Sequence, residues 1–170
     1  LRGIIRARLE LLSPTERHLL QVAALLPREF EARTLARVVD EDLDTVEEAL
    51  GLLERRGIVH RTERGHAFVS DSTVQVIHTG LTPEARREIH SAIAVSLEEL
   101  YPDRLDELAE ELAAHHEEGG SISEAVAYLE RAAQRSSVEG GYAAAFASLE
   151  RAIELTALGA DASHDVRLRL

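Results

Sequence analysis

The sequence predicts a mainly α protein that contains one β-hairpin. Apolar residues recur at helical spacing along most of the 170-residue chain, and two short β-rich runs lie on either side of a turn that contains Gly65. The tetrapeptide Leu-Glu-Arg-Ala at 129–132 returns at 149–152, each time in a short helical segment that follows two glycines. Short helices with small residues at their crossings are typical of an α-solenoid, so a short array of helical hairpins is expected in the second half.

The first helices are predicted from their start and stop signals. Leu1–Leu12 is expected to be helical. Ser13 and Glu16 form a capping-box pattern with Pro14 at the first helical position, so a second helix is expected to begin here. Its apolar spacing continues up to Pro27, which ends it.

Two more helices and the hairpin complete the first half. A helix is expected over Thr34–Val39, and another is expected to be capped by Asp44 and ended by Gly57. The β-rich runs at 58–62 and 66–69 are expected to pair as a hairpin. Three helices followed by a hairpin is the element order of a winged helix.

The second half is predicted to be helical. The expected helices cover 74–79, 83–100, 105–118, 123–136 and 142–158. The predicted domains are a winged helix over 1–80, a helical-repeat array over 81–158, and a tail over 159–170 that is either polar and frayed or the start of the next repeat helix. The helices of the array amount to about two repeats, fewer than the three or so that usually fold without support.

Composition excludes several classes of function. All 19 basic residues are Arg, and 31 acidic residues leave a net charge of −12. This balance opposes a general nucleic-acid or anionic-membrane footprint. Without Cys or Lys the chain holds no thiolate nucleophile, no cysteine-ligated metal and no P-loop lysine, and no cofactor is expected. No apolar run approaches the roughly 20 residues of a membrane helix, so a cytoplasmic location is expected.

The charge is unevenly distributed along the chain. Residues 1–85 carry 14 acids and 11 Arg, a net charge of −3, whereas residues 86–170 carry 17 acids and 8 Arg, a net charge of −9. Two segments with such different balances predict two functional halves.

Histidines and carboxylates raise the question of a metal site or of catalysis. Glu111 lies four residues before His115, so the two face one side of a helix, but zinc takes four defined ligands and no others lie nearby in the sequence. Of His115 and His116, one is expected to pack and the other to be exposed. Doublets of Glu that repeat along the helices are expected to be solvated: 98–99, 110–111 and 117–118. No nucleophile elbow or HExxH motif occurs, so neither catalysis nor a metal is expected.

A winged helix also admits DNA binding as an alternative. The helix over 44–56 would then enter the major groove, and the hairpin would supply further cations. The candidate DNA-contacting residues are Arg55, Arg56, Arg61 and Arg64. Residues 44–56 carry a net charge of −2, which opposes the phosphate attraction that nonspecific DNA affinity needs. The sequence therefore ranks DNA binding below protein interaction.

Five residues of the repeat segment are candidates for partner binding: Tyr128, Arg131, Tyr142, Phe146 and Arg151. The aromatic residues either line a groove or fill the core, and repeat signatures favour the core. The two arginines share one position of the repeated tetrapeptide and either bind an acidic peptide or pair with acids of their own chain. Within one helix, only Arg151 with Glu154 has pair spacing. An exposed apolar end over Tyr142–Leu158 would favour self-association, as uncapped repeats do.

Several short motifs, in this element order, resemble a known family. They are Leu-Ser-Pro-x-x-Arg-x-Leu-Leu at 12–20, Leu-x-x-Arg-Gly-Ile-Val at 53–59, His-His-Glu at 115–117 and Gly-Tyr at 141–142. They look like the region that follows the nucleotide-binding core of bacterial signal-transducing ATPases, where a winged helix precedes tetratricopeptide-like repeats. ATPase-linked adenylate cyclases and maltose-activator-like transcription regulators have this architecture. The resemblance covers about residues 1–158.

The resemblance implies a non-catalytic regulatory and protein-interaction module. The winged helix would dock on an ATPase core, and the repeats would bind a partner or a neighbouring subunit. Because the chain begins without Met and holds no P-loop, that core is expected upstream. Related ATPases place a phosphate-contacting His in a Phe-x-His motif after the hairpin. Here Ser70 stands at that place, and neither His66 nor His78 is in register, so no nucleotide-sensing residue carries over.

Overall fold

The chain is mainly helical, with one small three-stranded sheet. A computed structural model describes the backbone of residues 2–167 and the side chains of residues 3–158. Contacts group the chain into two units, Leu1–Ser96 and Leu97–Leu170. Across residues 2–167, none of the helices has the length and apolar character that spanning a lipid bilayer requires.

The first unit contains five complete helices and the sheet, over the part of it that the structure describes. Its elements are α1 (Arg2–Glu10), α2 (Pro14–Ala23), β1 (Glu29–Phe30), α3 (Ala32–Val39), α4 (Leu43–Arg55), β2 (Val59–Arg61), β3 (His66–Phe68), α5 (Asp71–Gly80) and most of α6 (Pro83–Leu100). The predicted helix over Leu1–Leu12 corresponds to α1, and Leu1 itself lies outside the described residues.

The predicted capping box of α2 is present. The Glu16 N–H donates to Ser13 Oγ at 3.1 Å, and the Ser13 N–H donates to Glu16 Oε2 at 2.8 Å. The helix ends at Ala23, earlier than the apolar pattern, because the following N–H groups of Leu25 and Leu26 bond to carbonyls three residues back and tighten the chain.

The predicted cap of α4 was wrong by two residues. Asp42, not Asp44, accepts the Thr45 N–H, at 2.9 Å. Asp40 ends α3 in the left-handed conformation (φ 55°), so the chain turns sharply and α4 begins at once. At the far end Gly57 has the positive φ of 64° expected of a residue that terminates a helix.

The predicted hairpin is present and gains a third strand. β2 and β3 pair antiparallel, with Val59 opposite Phe68, and β1 pairs with the other edge of β3, giving the order β1-β3-β2. Gly65 has φ 146°, and a Cβ there would overlap the carbonyl oxygen of Phe30. The hairpin turn therefore needs glycine both for its conformation and for the approach of β1.

An apolar core holds the first unit together. Its large side chains that are fully buried include Leu19, Leu20, Val22, Leu35, Val46, Leu50, Leu53 and Val59. These eight come from α2, α3, α4 and β2, and Ile93 of α6 is also fully buried. The helical faces predicted by the apolar spacing are therefore buried faces. Each such side chain contributes about 1.5–3 kcal/mol of burial free energy.

The second unit is built from consecutive helices. After a 3₁₀ turn at Pro102–Arg104 come α7 (Ala109–Gly119), α8 (Ile122–Val138) and α9 (Tyr142–Arg167). α8 packs on α7, and α9 packs on α8. The expected end of the last helix at Leu158 was wrong, because Gly159 is followed by helix-compatible residues without Pro and α9 continues to Arg167. Residues 168–170 of the predicted tail lie outside the described residues.

Candidate functional site

The repeated tetrapeptide lies at equivalent places on α8 and α9. A shift of 20 residues superimposes three buried positions of the two helices: Ala125 on Ala145, Tyr128 on Ser148, and Ala132 on Ala152. On α8 this face reaches α7, where the Tyr128 ring stacks on His116. The internal repeat of the sequence is thus also a repeat of burial.

Tyr128 is part of the core of the second unit. It is 9% exposed, its hydroxyl donates to Glu98 Oε1 at 2.9 Å, and its ring stacks on His116 with centroids 5.5 Å apart. Burial, and then the hydrogen bond to the Glu98 carboxylate, raise the pKa of Tyr128 to about 12. This candidate for partner binding therefore acts inside the unit, joining α8 to α6 and α7.

Arg131 and Arg151 pair with carboxylates of their own unit. Arg131 donates to Asp106 Oδ1 at 2.8 Å through Nε. Arg151 contacts Glu117 of α7 and donates to Glu154 at 2.7 Å, so the expected pair within α9 is present. The hydrogen bonds to Glu117 and then to Glu154 raise the pKa of Arg151. Of the two alternatives that the sequence left open, the structure places both arginines in internal ion pairs.

Tyr142 and Phe146 lie on the surface, so the favoured expectation that they fill the core was wrong for both. They are 72% and 67% exposed, and Leu149 and Ile153 on the same face are 46% and 71% exposed. The four side chains follow one another by four, three and four residues and form a continuous line along α9. We call this set, Tyr142, Phe146, Leu149 and Ile153, the outer stripe.

Sequence reasoning missed two members of the outer stripe, Leu149 and Ile153. Their helical spacing from Tyr142 and Phe146 was the available signal, but the same spacing describes a buried face. The wider set of exposed apolar residues in α9 also includes Leu158, at 62%. Large contiguous apolar surfaces are common at the binding sites of folded proteins.

His115 and His116 are both buried, so the expectation that one is exposed was wrong. They are 5% and 6% exposed. His116 Nε2 lies 2.9 Å from Glu98 Oε1, and His115 Nε2 lies 4.0 Å from Glu111 Oε1. Burial raises the pKa of Glu111. One member of each Glu doublet is half-buried and partnered: Glu98, Glu111 and Glu117. The other members are exposed, as expected: Glu99, Glu110 and Glu118.

Metal ligation finds no support around these histidines. Among the described residues there is no group of three or more His, Asp and Glu side chains placed to hold an ion. The two carboxylates near the histidines lie beside different rings, Glu98 beside His116 and Glu111 beside His115.

The four arginines proposed for DNA contact are exposed but differ in setting. Arg56 is held by Glu16 at 3.0 Å, across α2 and α4. Burial opposes the charge of Glu16, but its hydrogen bonds with Ser13 and the Arg56 guanidinium outweigh burial and lower its pKa. Arg55 borders a shallow groove whose other charged residues are acidic. Arg61 and Arg64 lie at the hairpin.

Ser70 and the nearby histidines have structural roles. Ser70 caps α5, where its Oγ accepts the Ser72 N–H at 3.2 Å. His66 is 4% exposed and stacks on Phe30, and burial, followed by the Arg61 charge, lowers its pKa. His78 Nε2 lies 2.6 Å from the Ala24 carbonyl oxygen. Ser70 therefore acts as a helix cap.

Comparison of the chain with protein-family models, with curated proteins and with solved structures finds no match. The candidate site therefore rests on the geometry of α8 and α9.

Proposed function

We propose that this chain is a non-catalytic regulatory and protein–protein interaction module of a larger bacterial signalling ATPase or transcription regulator, with α9 as its partner-binding surface. The observation that carries the proposal is the outer stripe, four large apolar side chains exposed on one helix. Exposed apolar side chains gain free energy when a partner covers them. The place of action is the cytoplasm.

The finer architecture belongs to the same proposal. α2, α3 and α4 followed by a β2–β3 hairpin have the element order of a winged helix over residues 1–80. The consecutive packing of α7, α8 and α9, with repeated burial, supports a tetratricopeptide-like array over residues 81–158. In this proposal the winged helix docks on an upstream ATPase core and moves with its nucleotide state, while the repeats carry the outer stripe to a partner.

DNA binding is the second candidate function. It is favoured by Arg61 and Arg64, two exposed cations on one hairpin. It is disfavoured by Arg56, which is paired with Glu16, and by the acidic border of the groove beside Arg55. A helix that enters the major groove needs phosphate-contacting cations along its flanks, and α4 offers few.

A site-specific photo-crosslinking experiment in living cells distinguishes protein interaction from DNA binding. A photoreactive amino acid replaces Phe146 on the outer stripe, and the matched control replaces Val138, which is 84% exposed but lies on α8. The interaction module predicts discrete protein adducts at position 146 that are absent at position 138. The same amino acid at position 61 tests for DNA adducts, and purified chain is tested for retention on duplex DNA.

The outcomes decide between the proposals. Protein adducts at 146 alone support the interaction module. DNA adducts at 61, with retention that weakens steeply as salt rises, overturn that ranking in favour of DNA binding. Equal adducts at 146 and 138, or none at either position, contradict the assignment of α9 as the partner surface.

A further inference from the structure

The outer stripe has a counterpart at the equivalent positions of α8, and the two sets differ in exposure. The positions 20 residues earlier are Ile122, Val126, Leu129 and Ala133, and each is more covered than its α9 equivalent. Ala133 is 4% exposed, whereas Ile153 is 71% exposed. Within the second unit, α8 packs against both α7 and α9. The equivalent face of α9 is the more exposed of the two.

The length and spacing of the outer stripe fit a helix. From Tyr142 to Ile153 the stripe spans 11 residue steps, about 16 Å of helix axis. Anchors at this spacing receive the apolar face of an amphipathic helix of about three turns. Two aromatic and two branched aliphatic side chains supply the apolar contact area.

The charge of the second unit indicates the charge of a helix that would bind the outer stripe. In the second unit, every arginine whose side chain the structure describes pairs with a carboxylate of the same unit: Arg104, Arg131, Arg135 and Arg151. The second unit, residues 97–170, nevertheless holds 16 acidic residues and 6 Arg, a net charge of −10, so acidic side chains are in excess there. Glu150 follows Phe146 by one helical turn, is exposed, and forms no ion pair among the described side chains. It borders the outer stripe.

We propose that the outer stripe binds a cationic amphipathic helix of a partner protein, with apolar anchors on the stripe and Lys or Arg facing Glu150. This inference rests on the proposed function and adds the class of partner. A second copy of this chain is disfavoured, because two acidic surfaces would face each other across the contact and like charges suppress association. A neutral or acidic helix would bury the same apolar area without the charge attraction.

Purified chain and labelled peptides test this proposal by fluorescence anisotropy. The probe is an 18-residue helical peptide with Leu at stripe spacing and Lys elsewhere. One control peptide keeps Leu but replaces Lys by Glu, and another keeps the composition but scrambles the Leu spacing. The chain variants are F146S with I153S, which change exposed side chains only, and E150Q matched by E130Q at the equivalent position of α8. Circular dichroism melts check that each variant folds.

We expect the Lys peptide to bind, and both control peptides to bind at least about tenfold more weakly. The loss of two hot-spot side chains should weaken binding by about tenfold or more. E150Q should weaken binding by about two- to fivefold, as exposed charge pairs do, and E130Q should leave it unchanged.

Other outcomes overturn the proposal in distinguishable ways. Equal binding of the Glu peptide, or equal effects of E150Q and E130Q, removes the cationic partner. Sedimentation could instead show a dimer that the F146S and I153S changes abolish and that the Lys peptide does not dissociate. That result assigns the outer stripe to a second copy of the chain. If the Lys peptide fails to bind but position 146 still yields specific protein adducts in cells, the interaction module stands and only the cationic helix fails. If both fail, the proposed function fails with it.

Discussion

α8 and α9 carry the same tetrapeptide in the same register, yet one is covered on two faces and the other on one. Ala125 and Ala145 are both buried, as are Ala132 and Ala152, so the inner face is alike in the two helices. On the outer face, the last of the four equivalent positions is the small residue Ala133 in α8 and the large residue Ile153 in α9. The difference teaches that a helix's burial is set by its neighbours as well as by its own pattern.

The largest expected effect tests whether the two outer faces differ in packing. Ala133→Ile adds three carbons to a covered position and should lower the free energy of unfolding by about 1–3 kcal/mol. Ile153→Ala removes an exposed side chain and should change it by no more than about 0.5 kcal/mol. Urea denaturation of both variants measures the contrast. Equal destabilisation by the two changes would show that the outer face of α9 is also covered.

A second prediction concerns the buried inner face of the two helices. There Tyr128 of α8 is equivalent to the smaller Ser148 of α9. Tyr128→Phe removes the hydrogen bond to Glu98 and should cost about 1 kcal/mol in the free energy of unfolding. Tyr142→Phe, at the exposed start of α9, should cost nothing measurable. Denaturation at neutral pH measures both, and a similar loss in the two variants would place Tyr142 in a hydrogen-bonded core.

Because of Tyr128, we expect the free energy of unfolding to depend on pH in the alkaline range. Its pKa is raised to about 12 from an ordinary value of about 10, so the folded chain holds the proton that the unfolded chain releases. The stabilisation is fully present below pH 10 and is lost as pH rises through 12. Absorbance of phenolate should therefore include a transition near pH 12 that is absent from Tyr128→Phe. A wild-type titration without that transition contradicts the buried position of Tyr128.

The smallest expected effect concerns the arginines of the tetrapeptide. Arg131→Met and Arg151→Met each remove part-exposed ion pairs and should cost less than about 1 kcal/mol. Arg131 also lies over the Tyr128 ring, 5.3 Å from its centroid, whereas Arg151 contacts two carboxylates. High salt should therefore reduce the loss at Arg151 more than the loss at Arg131. Urea denaturation at low and high NaCl measures it, and the reverse order would contradict these partner assignments.

Local signals allowed much of the helical framework to be predicted. Ser13 and Glu16 form a capping box because both partners lie within one turn, and Gly57 ends α4 through its own backbone conformation. Asp42 was missed as a cap because Asp44 has the same chemistry two residues later. β1 was missed because two residues carry no period, and only its pairing with β3 makes it a strand.

The candidate site was predicted less well because it depends on long-range neighbours. Tyr128, Tyr142 and Phe146 have similar local patterns, but the Tyr128 ring stacks on His116 of α7, whereas Tyr142 and Phe146 lie on the exposed face of α9. The partners of Arg131 and Arg151, Asp106 and Glu117, come from preceding segments that no helical spacing links to them. Burial of both histidines has the same origin, since Glu98 of α6 reaches His116.

The central claim is that the outer face of α9 is open where that of α8 is closed. The chain contains no Cys, so single cysteines report on one position each. We would measure the thiol modification rate of Ile153→Cys and Ala133→Cys at low protein concentration. The account predicts that Ile153→Cys reacts like a free thiol and that Ala133→Cys is slower by about a hundredfold, since it must await local opening. Equally slow reaction at both positions would contradict the account.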